Sequence, residues 1–89
     1  MRESSQDVAF IDVRELHERL VDSLAGSEHI PLTELIENGV PFGLSSCIVL
    51  YCATGVRSLV AAEALRKRGY DQVHNLEGGL AAWRKTFPA

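Results

Sequence analysis

The sequence predicts an α/β fold built on a parallel β-sheet with flanking helices. Short apolar runs alternate with helical segments along the chain, which is typical of such folds. The strongest apolar run, residues 47–51, is apolar on both faces, as a central parallel strand should be. With 89 residues, the chain suffices for one domain, residues 1–89, and not for two.

The first strand and helix follow a polar start. Residues 1–7 carry charges of both signs, resemble neither a signal nor a transit peptide, and are expected to be a flexible N-terminal segment. Residues 8–11 predict a buried strand that ends at Asp12. Residues 15–22 predict a helix with charges on one side. Its apolar side is expected to carry Leu16, Leu20 and Val21.

The second strand and helix are shorter. Pro31 biases the residue before it toward extended geometry, so residues 29–32 predict a short extended piece. Thr33 is expected to cap a helix over residues 34–37, which Gly39 helps to end.

The second half repeats the pattern with longer elements. Residues 47–51 form the central strand, and residues 57–68 predict the longest helix, which Gly69 ends. Residues 73–76 predict the last strand, and a glycine pair then turns the chain into a final helix over residues 80–86. The apolar side of the longest helix is expected to contain Leu59, Val60, Ala61, Ala64 and Leu65.

Composition excludes several function classes. The net charge is −3, and the one basic cluster, residues 66–68, ends a predicted helix, where cations oppose the helix dipole favourably. We therefore expect no nucleic-acid partner. No segment approaches the roughly 18 consecutive apolar residues of a membrane span, so no membrane contact is expected.

The two cysteines are not expected to pair. Cys47 and Cys52 lie on one predicted strand, about 16 Å apart at ~3.3 Å per residue, whereas a disulfide needs Cα atoms within about 7 Å. Reduced thiols and the lack of an export signal predict a cytoplasmic location. None of the three histidines has metal-ligand spacing with a cysteine, so no metal site is expected.

The segment from Cys52 to Arg57 carries the most chemical information. A buried strand delivers Cys52 to its carboxyl end, where ligands bind in such sheets. The following helix N-terminus favours an anion and lowers a thiol pKa. Gly55 lets the loop turn its N–H groups inward around the sulfur, and Arg57 adds a permanent positive charge. This pattern predicts an exposed nucleophilic thiolate. The alternative is a half-buried cysteine beside an unrelated glycine loop.

Four landmarks resemble the rhodanese-like domain family and occur in the family's order. Residues 10–15 (FIDVRE) resemble its D-V-R-E signature, and residues 29–35 (HIPLTEL) its I-P-L-x-E-L segment. Residues 49–58 (VLYCATGVRS) resemble its active-site strand and loop, and residues 73–83 its terminal L-x-G-G-x-x-A-W block. The resemblance implies a three-layer fold, with helices on both faces of the central sheet.

The resemblance also implies a chemistry. Cys52 would be the persulfide-bearing nucleophile of a sulfurtransferase that takes sulfur from thiosulfate or a persulfide and gives it to a thiol or cyanide. No metal or organic cofactor would be needed. The loop around the sulfur and its donor would be formed by Ala53, Thr54, Gly55, Val56 and Arg57. Asp12 and Arg14 are candidates for a supporting role, although a structural ion-pair network is the favoured interpretation.

The sequence departs from the family pattern at its start. The strand and helix that usually precede the D-V-R-E strand are absent, so we expect either a reduced family member or a domain cut from a longer protein. The latter resembles adenylyltransferases that end in a rhodanese domain, where the domain would relay sulfur to a ubiquitin-like carrier protein.

Two other function classes stay open. A non-catalytic recognition domain is disfavoured by the intact Cys52, Gly55 and Arg57. A phosphatase is disfavoured by loop length, because phosphatases of this fold have one residue more between the cysteine and the arginine than the four found here.

Overall fold

The computed structural model describes residues 8–87, in which strands and helices alternate strictly. This order confirms the prediction. The segment 1–7, expected to be flexible, lies outside the described residues. The elements are β1 (Val8–Asp12), α1 (Leu16–Val21), β2 (Glu28–His29), α2 (Leu32–Asn38), β3 (Cys47–Tyr51), α3 (Val56–Lys67), β4 (Val73–Asn75) and α4 (Gly79–Thr86).

The four strands form one parallel sheet in the order β2-β1-β3-β4. The long pairing of β1 with β3 sets Asp12 beside Tyr51, so both strands end at the same edge. Loops that follow parallel strands meet at this edge, where ligands bind in open α/β sheets. The segments after Asp12, Tyr51 and Asn75 therefore meet there.

The sheet has a core on each face. Because side chains alternate along a strand, Leu50 lies in the core beneath α2 and α3, while its neighbour Tyr51 lies in the opposite core with Leu80 of α4. Trp83 packs against this second core, and its ring centroid lies 4.7 Å from that of the exposed Phe87. Helices on both faces confirm the expected three-layer architecture.

The apolar side predicted for α1 is wrong. Leu16, Leu20 and Val21 are 57%, 77% and 86% exposed, and α1 buries no residue. The helix instead turns polar side chains toward the protein, where Arg19 donates to the Ser27 carbonyl at 2.7 Å. Hydrogen bonds and ion pairs, rather than apolar packing, hold this short helix in place.

Two other details differ from the prediction. The Leu35 N–H donates to the Pro31 carbonyl at 2.9 Å, so α2 begins at Leu32 and Thr33 lies inside the helix instead of capping it. In α3, Leu59 and Val60 are nearly half exposed. The helix is rotated so that its buried residues are Ser58, Ala61, Ala62 and Leu65.

None of the helices within residues 8–87 combines the length and apolar character needed to cross a bilayer.

Candidate active site

Strand β3 and helix α3 hold Cys52 between them. The strand ends at Tyr51, and α3 begins at Val56 after a loop whose last residue, Gly55, has φ +103°. This left-handed conformation favours glycine, and a Cβ there would also lie 3.3 Å from the Gly78 nitrogen. The tight turn brings the loop and the first turn of α3 back around the sulfur. We call residues 53–58, arranged around Cys52 Sγ, the cradle.

Backbone N–H groups of the cradle point at the sulfur. Gly55 donates to Cys52 Sγ at 3.0 Å and Ser58 donates at 3.4 Å, while the Ser58 hydroxyl oxygen lies 3.5 Å from the sulfur. Burial raises the pKa of the Cys52 thiol, but hydrogen bonds from Ser58, Gly55 and Thr54 lower it by more. The net pKa is below the ordinary value, so the cradle stabilises the thiolate form relative to a thiol in water.

Ser58 also connects the sulfur to β4. Its hydroxyl donates to Asn75 Oδ1, and Asn75 Nδ2 donates to the Gly55 carbonyl at 3.3 Å. A hydroxyl has one proton, which can point at either Asn75 or the sulfur. The N–H groups are fixed by the backbone, so they are the constant part of the effect on the thiol pKa.

The start of α4 fixes the other side of the loop. Leu80 and Ala81 donate their N–H groups to the carbonyls of Cys52 and Ala53, at 2.8 and 3.0 Å. This approach requires a glycine at position 79, where φ is +63° and a Cβ would lie 2.5 Å from the Cys52 carbonyl oxygen. The glycine pair thus turns the chain into α4, as the sequence predicts, and the structure places this turn against the loop.

The expectation of an exposed thiolate is wrong. Cys52 is 1% exposed: it belongs to the core cluster beneath α2 and α3, and its sulfur accepts N–H groups from the cradle. Among the cradle residues, Thr54 and Val56 are exposed on the outer side. The second cysteine, Cys47, is half-buried at the start of β3 and is also a free thiol.

Arg57, the cation of the cradle, is bound to a carboxylate. Its Nη1 and Nη2 donate to Glu18 Oε1 and Oε2, both at 2.8 Å. The hydrogen bonds from Arg57 outweigh the effect of burial and lower the pKa of Glu18 to about 2. The cradle's permanent positive charge is therefore paired with a carboxylate from α1.

Asp12 and Arg14 form a separate network beside the cradle. The Arg14 side chain donates to both carboxylate oxygens of Asp12 at 3.0 and 2.9 Å, and the Tyr51 hydroxyl donates to Asp12 at 3.1 Å. Asp12 is fully buried. Arg14 also donates to the Asp22 carbonyl, so its contacts brace the loop after α1. These bonds fit the structural interpretation.

The sequence assigned no role to three residues of the site: Glu18, Asn75 and Ser58, the last of which lies within the segment 49–58 that resembles the family's active-site strand and loop. Ser58 directly follows Arg57, and Asn75 ends the strand next to β3, so both positions point to the same sheet edge. Glu18 lies among the charges of α1. Within residues 8–87, no three or more histidine, cysteine or acidic side chains lie close enough together to hold a metal ion.

Comparisons with known proteins agree with this geometry. The sequence profile of the rhodanese-like domain matches residues 1–86. The crystal structure of a rhodanese-related protein from Thermoplasma volcanium is similar, with a TM-score of 0.82 and 32% identity, over 90% of this chain and 79% of that chain.

Two curated relatives carry functional names. The chain is 39% identical to the probable adenylyltransferase/sulfurtransferase MoeZ of Mycobacterium tuberculosis, over 96% of this chain and 22% of MoeZ. It is 29% identical to the thiosulfate sulfurtransferase GlpE of Pseudomonas fluorescens, over 94% of this chain and 77% of GlpE. Two further curated relatives are spanned over only 58% and 44% of their length. With the profile match covering nearly its full length, this chain belongs to the rhodanese-like domain family.

Proposed function

We propose that the protein moves sulfane sulfur from thiosulfate or a persulfide donor, through a Cys52 persulfide, to a nucleophilic acceptor such as a thiol or cyanide. The observation that carries this proposal is the convergence of N–H groups on the Cys52 sulfur, with Gly55 N–H at 3.0 Å. These groups stabilise an anionic sulfur, which is the form that attacks and the form that a bound persulfide takes.

The reaction proceeds in two displacements. The Cys52 thiolate attacks the outer sulfur of thiosulfate; the S–S bond breaks, and sulfite leaves with the electron pair. The acceptor nucleophile then attacks the outer sulfur of the Cys52 persulfide, the new S–S bond breaks, and the thiolate is restored. Neither step requires a metal or an organic cofactor.

The burial of Cys52 sets a condition on this mechanism. A donor reaches the sulfur only when the residues around it move, and we infer that the loop moves because its residues Thr54 and Val56 are exposed. Loops of this kind open locally at low cost in free energy compared with unfolding of the core.

The loop length supports sulfur transfer over phosphate hydrolysis. Four residues separate Cys52 from Arg57, and the resulting ring of N–H groups closes directly on the sulfur atom. A tetrahedral phosphate would need a wider ring. Hydrolysis of an aryl phosphate by the purified protein would favour the phosphatase alternative.

A second candidate is a sulfur relay within a larger protein. The similarity to MoeZ, of which this chain spans 22%, favours a domain that hands sulfur to a protein acceptor such as a ubiquitin-like carrier. Transfer of labelled sulfur from Cys52 to a carrier protein, compared with transfer to cyanide, separates this candidate from a free-standing enzyme.

The cytoplasmic location stays a prediction.

The test of the main proposal is intact-protein mass spectrometry after incubation with thiosulfate. Wild-type protein and Cys47→Ser should each gain one sulfur atom, and Cys52→Ser should gain none. Cys47→Ser is the matched control because it removes the other free thiol. A wild-type protein that gains no sulfur, or an adduct found on Cys47 alone, would overturn the proposal.

A further inference from the structure

The net charge beside the cradle depends on the ion pair between Glu18 of α1 and Arg57 of α3. We propose that Glu18 is a specificity-determining residue, which favours sulfur donors carrying at most one negative charge, such as alkyl hydropersulfides, over the dianion thiosulfate. This inference rests on the proposed function of Cys52 and concerns which donor loads it.

Hydrogen bonds hold the Glu18–Arg57 pair in one defined geometry. Each terminal nitrogen of Arg57 donates to one oxygen of Glu18 at 2.8 Å, which is the bidentate arrangement that holds a guanidinium in one orientation. Glu18 Oε1 also accepts the N–H of Glu15 at 2.9 Å. The carboxylate is thus fixed from its own helix as well as from the cradle, and the side chain is only 24% exposed.

The Glu18–Arg57 pair changes the net charge near the Cys52 sulfur, where a donor must bind. Arg57 is the permanent cation of the cradle, and the Glu18 carboxylate cancels its charge. The Glu18 hydrogen bonds raise the pKa of Arg57, and the Cys52 sulfur and the Glu15 carboxylate are close enough to raise it further. The neighbouring cations Arg14 and Arg19 share the one carboxylate of Asp12, at 2.9 and 3.4 Å, and the single positive charge that remains is offset by the Glu15 carboxylate. With Cys52 ionised, the sum of Arg57, Glu18 and the sulfur is one negative charge.

This balance discriminates between donors by charge. Thiosulfate carries two negative charges, and an alkyl hydropersulfide carries one when ionised and none when protonated. In the transfer, the Cys52 thiolate attacks the outer sulfur of R–S–S–H. The donor's S–S bond breaks, the outer sulfur moves with its proton, and the thiolate R–S⁻ leaves. Each added donor charge near Glu18 is repelled, and removal of the carboxylate charge therefore helps a dianion more than a monoanion.

The experiment compares the two donors under single-turnover conditions. The rate at which one sulfur is added to Cys52 is measured by mass spectrometry for thiosulfate and for a low-molecular-weight alkyl persulfide, at low ionic strength. Glu18→Gln should raise the ratio of the thiosulfate rate to the persulfide rate about fivefold, and added salt should shrink this gain. Glu18→Asp, which keeps the charge, should stay close to the wild-type ratio.

Glu63→Gln is the matched control, because Glu63 is an exposed carboxylate on α3, the helix that carries Arg57. It should leave the ratio unchanged. Two results for Glu18→Gln would overturn the inference: an unchanged ratio of the two rates, or an equal fall in the rates of sulfur addition from both donors. Either result would show that Glu18 has only a structural role. If neither donor adds sulfur to Cys52 in the wild-type protein, the proposed function itself fails.

Discussion

The N–H of Leu80 donates a 2.8 Å hydrogen bond to the carbonyl oxygen of Cys52, and the next N–H, of Ala81, donates to the Ala53 carbonyl at 3.0 Å. In a trans peptide the C=O and N–H bonds point in opposite directions. The bond from Ala81 therefore aims the N–H of Thr54 away from α4 and toward the sulfur, where it helps to lower the thiol pKa. Helix α4 thus helps to orient the N–H groups of the cradle by binding the carbonyl groups of the loop.

Substitution of the glycine at this contact should disrupt the cradle. In Gly79→Ala, the added Cβ would lie 2.5 Å from the Cys52 carbonyl oxygen and 2.6 Å from the Ala53 carbonyl. Since neither backbone can yield without losing the bonds from α4, we expect a loss of about 3 kcal/mol in the free energy of unfolding, from overpacking and left-handed strain. Urea denaturation measures this loss, and the Cys52 thiol pKa should rise with it.

Gly26→Ala is the control for backbone strain. Gly26 also has a positive φ, +81°, but a Cβ there meets no atom within 4 Å. We expect a loss of about 1 kcal/mol, with no change in the Cys52 pKa. Equal losses in the two variants would contradict the role assigned to the α4 contact.

Removal of the Ser58 hydroxyl should raise the pKa of the Cys52 thiol. In Ser58→Ala, the sulfur keeps its N–H donors but loses the hydroxyl 3.5 Å away, which lowers the pKa when it donates. The pKa is read from thiolate absorbance against pH in a Cys47→Ser background, which leaves one titrating thiol. Ser45→Ala, at an exposed loop position, should leave the value unchanged. An unchanged or lower pKa in Ser58→Ala would mean that the hydroxyl serves Asn75 alone.

Asp12 should matter for stability rather than for the sulfur. Asp12→Asn removes a buried charge that Arg14 binds through two side-chain hydrogen bonds, and it leaves the guanidinium without its partner. A broken buried pair costs about 3 kcal/mol, whereas Asp71→Asn at an exposed position should cost almost nothing. We expect Asp12→Asn to lower the free energy of unfolding and to leave the Cys52 pKa unchanged. Loss of sulfur loading at full stability would instead place Asp12 in the active site.

The Glu18–Arg57 pair should make the free energy of unfolding depend on pH. The folded-state pKa of Glu18 is about 2, well below its ordinary value, so the pair stabilises the fold at neutral pH. The stabilisation should be complete above about pH 5 and should disappear as the pH falls toward 2. Because the pair is partly exposed, we expect about 0.5 kcal/mol.

Urea midpoints of the wild-type protein and Glu18→Gln, measured at intervals from pH 6 to pH 3, check this dependence. The difference between the two proteins should be constant near pH 6 and should narrow at acid pH. A difference that grows on acidification would have the wrong sign for a carboxylate with a lowered pKa.

Several features of the fold were predictable because they are local. The apolar run of residues 47–51 and the glycines that follow α2 and α3 mark part of the order of elements, and the structure has that order. The prediction for helix α1 is wrong for a physical reason. Its leucines have helical spacing, but the sequence does not show that the helix would be held by Arg19 and Glu18 and would leave those leucines in solvent.

By itself, the sequence determined that a cysteine and a short glycine loop lie between a buried strand and a long helix, since strand, loop and helix are neighbours along the chain. Only the tertiary structure decided what surrounds the sulfur. Asn75 meets Ser58 from 17 residues away, and Glu18 meets Arg57 across 39 residues. These contacts, and the burial of Cys52, arise because parallel strands return the chain to the same sheet edge each time, and no local pattern records which side chains will meet there.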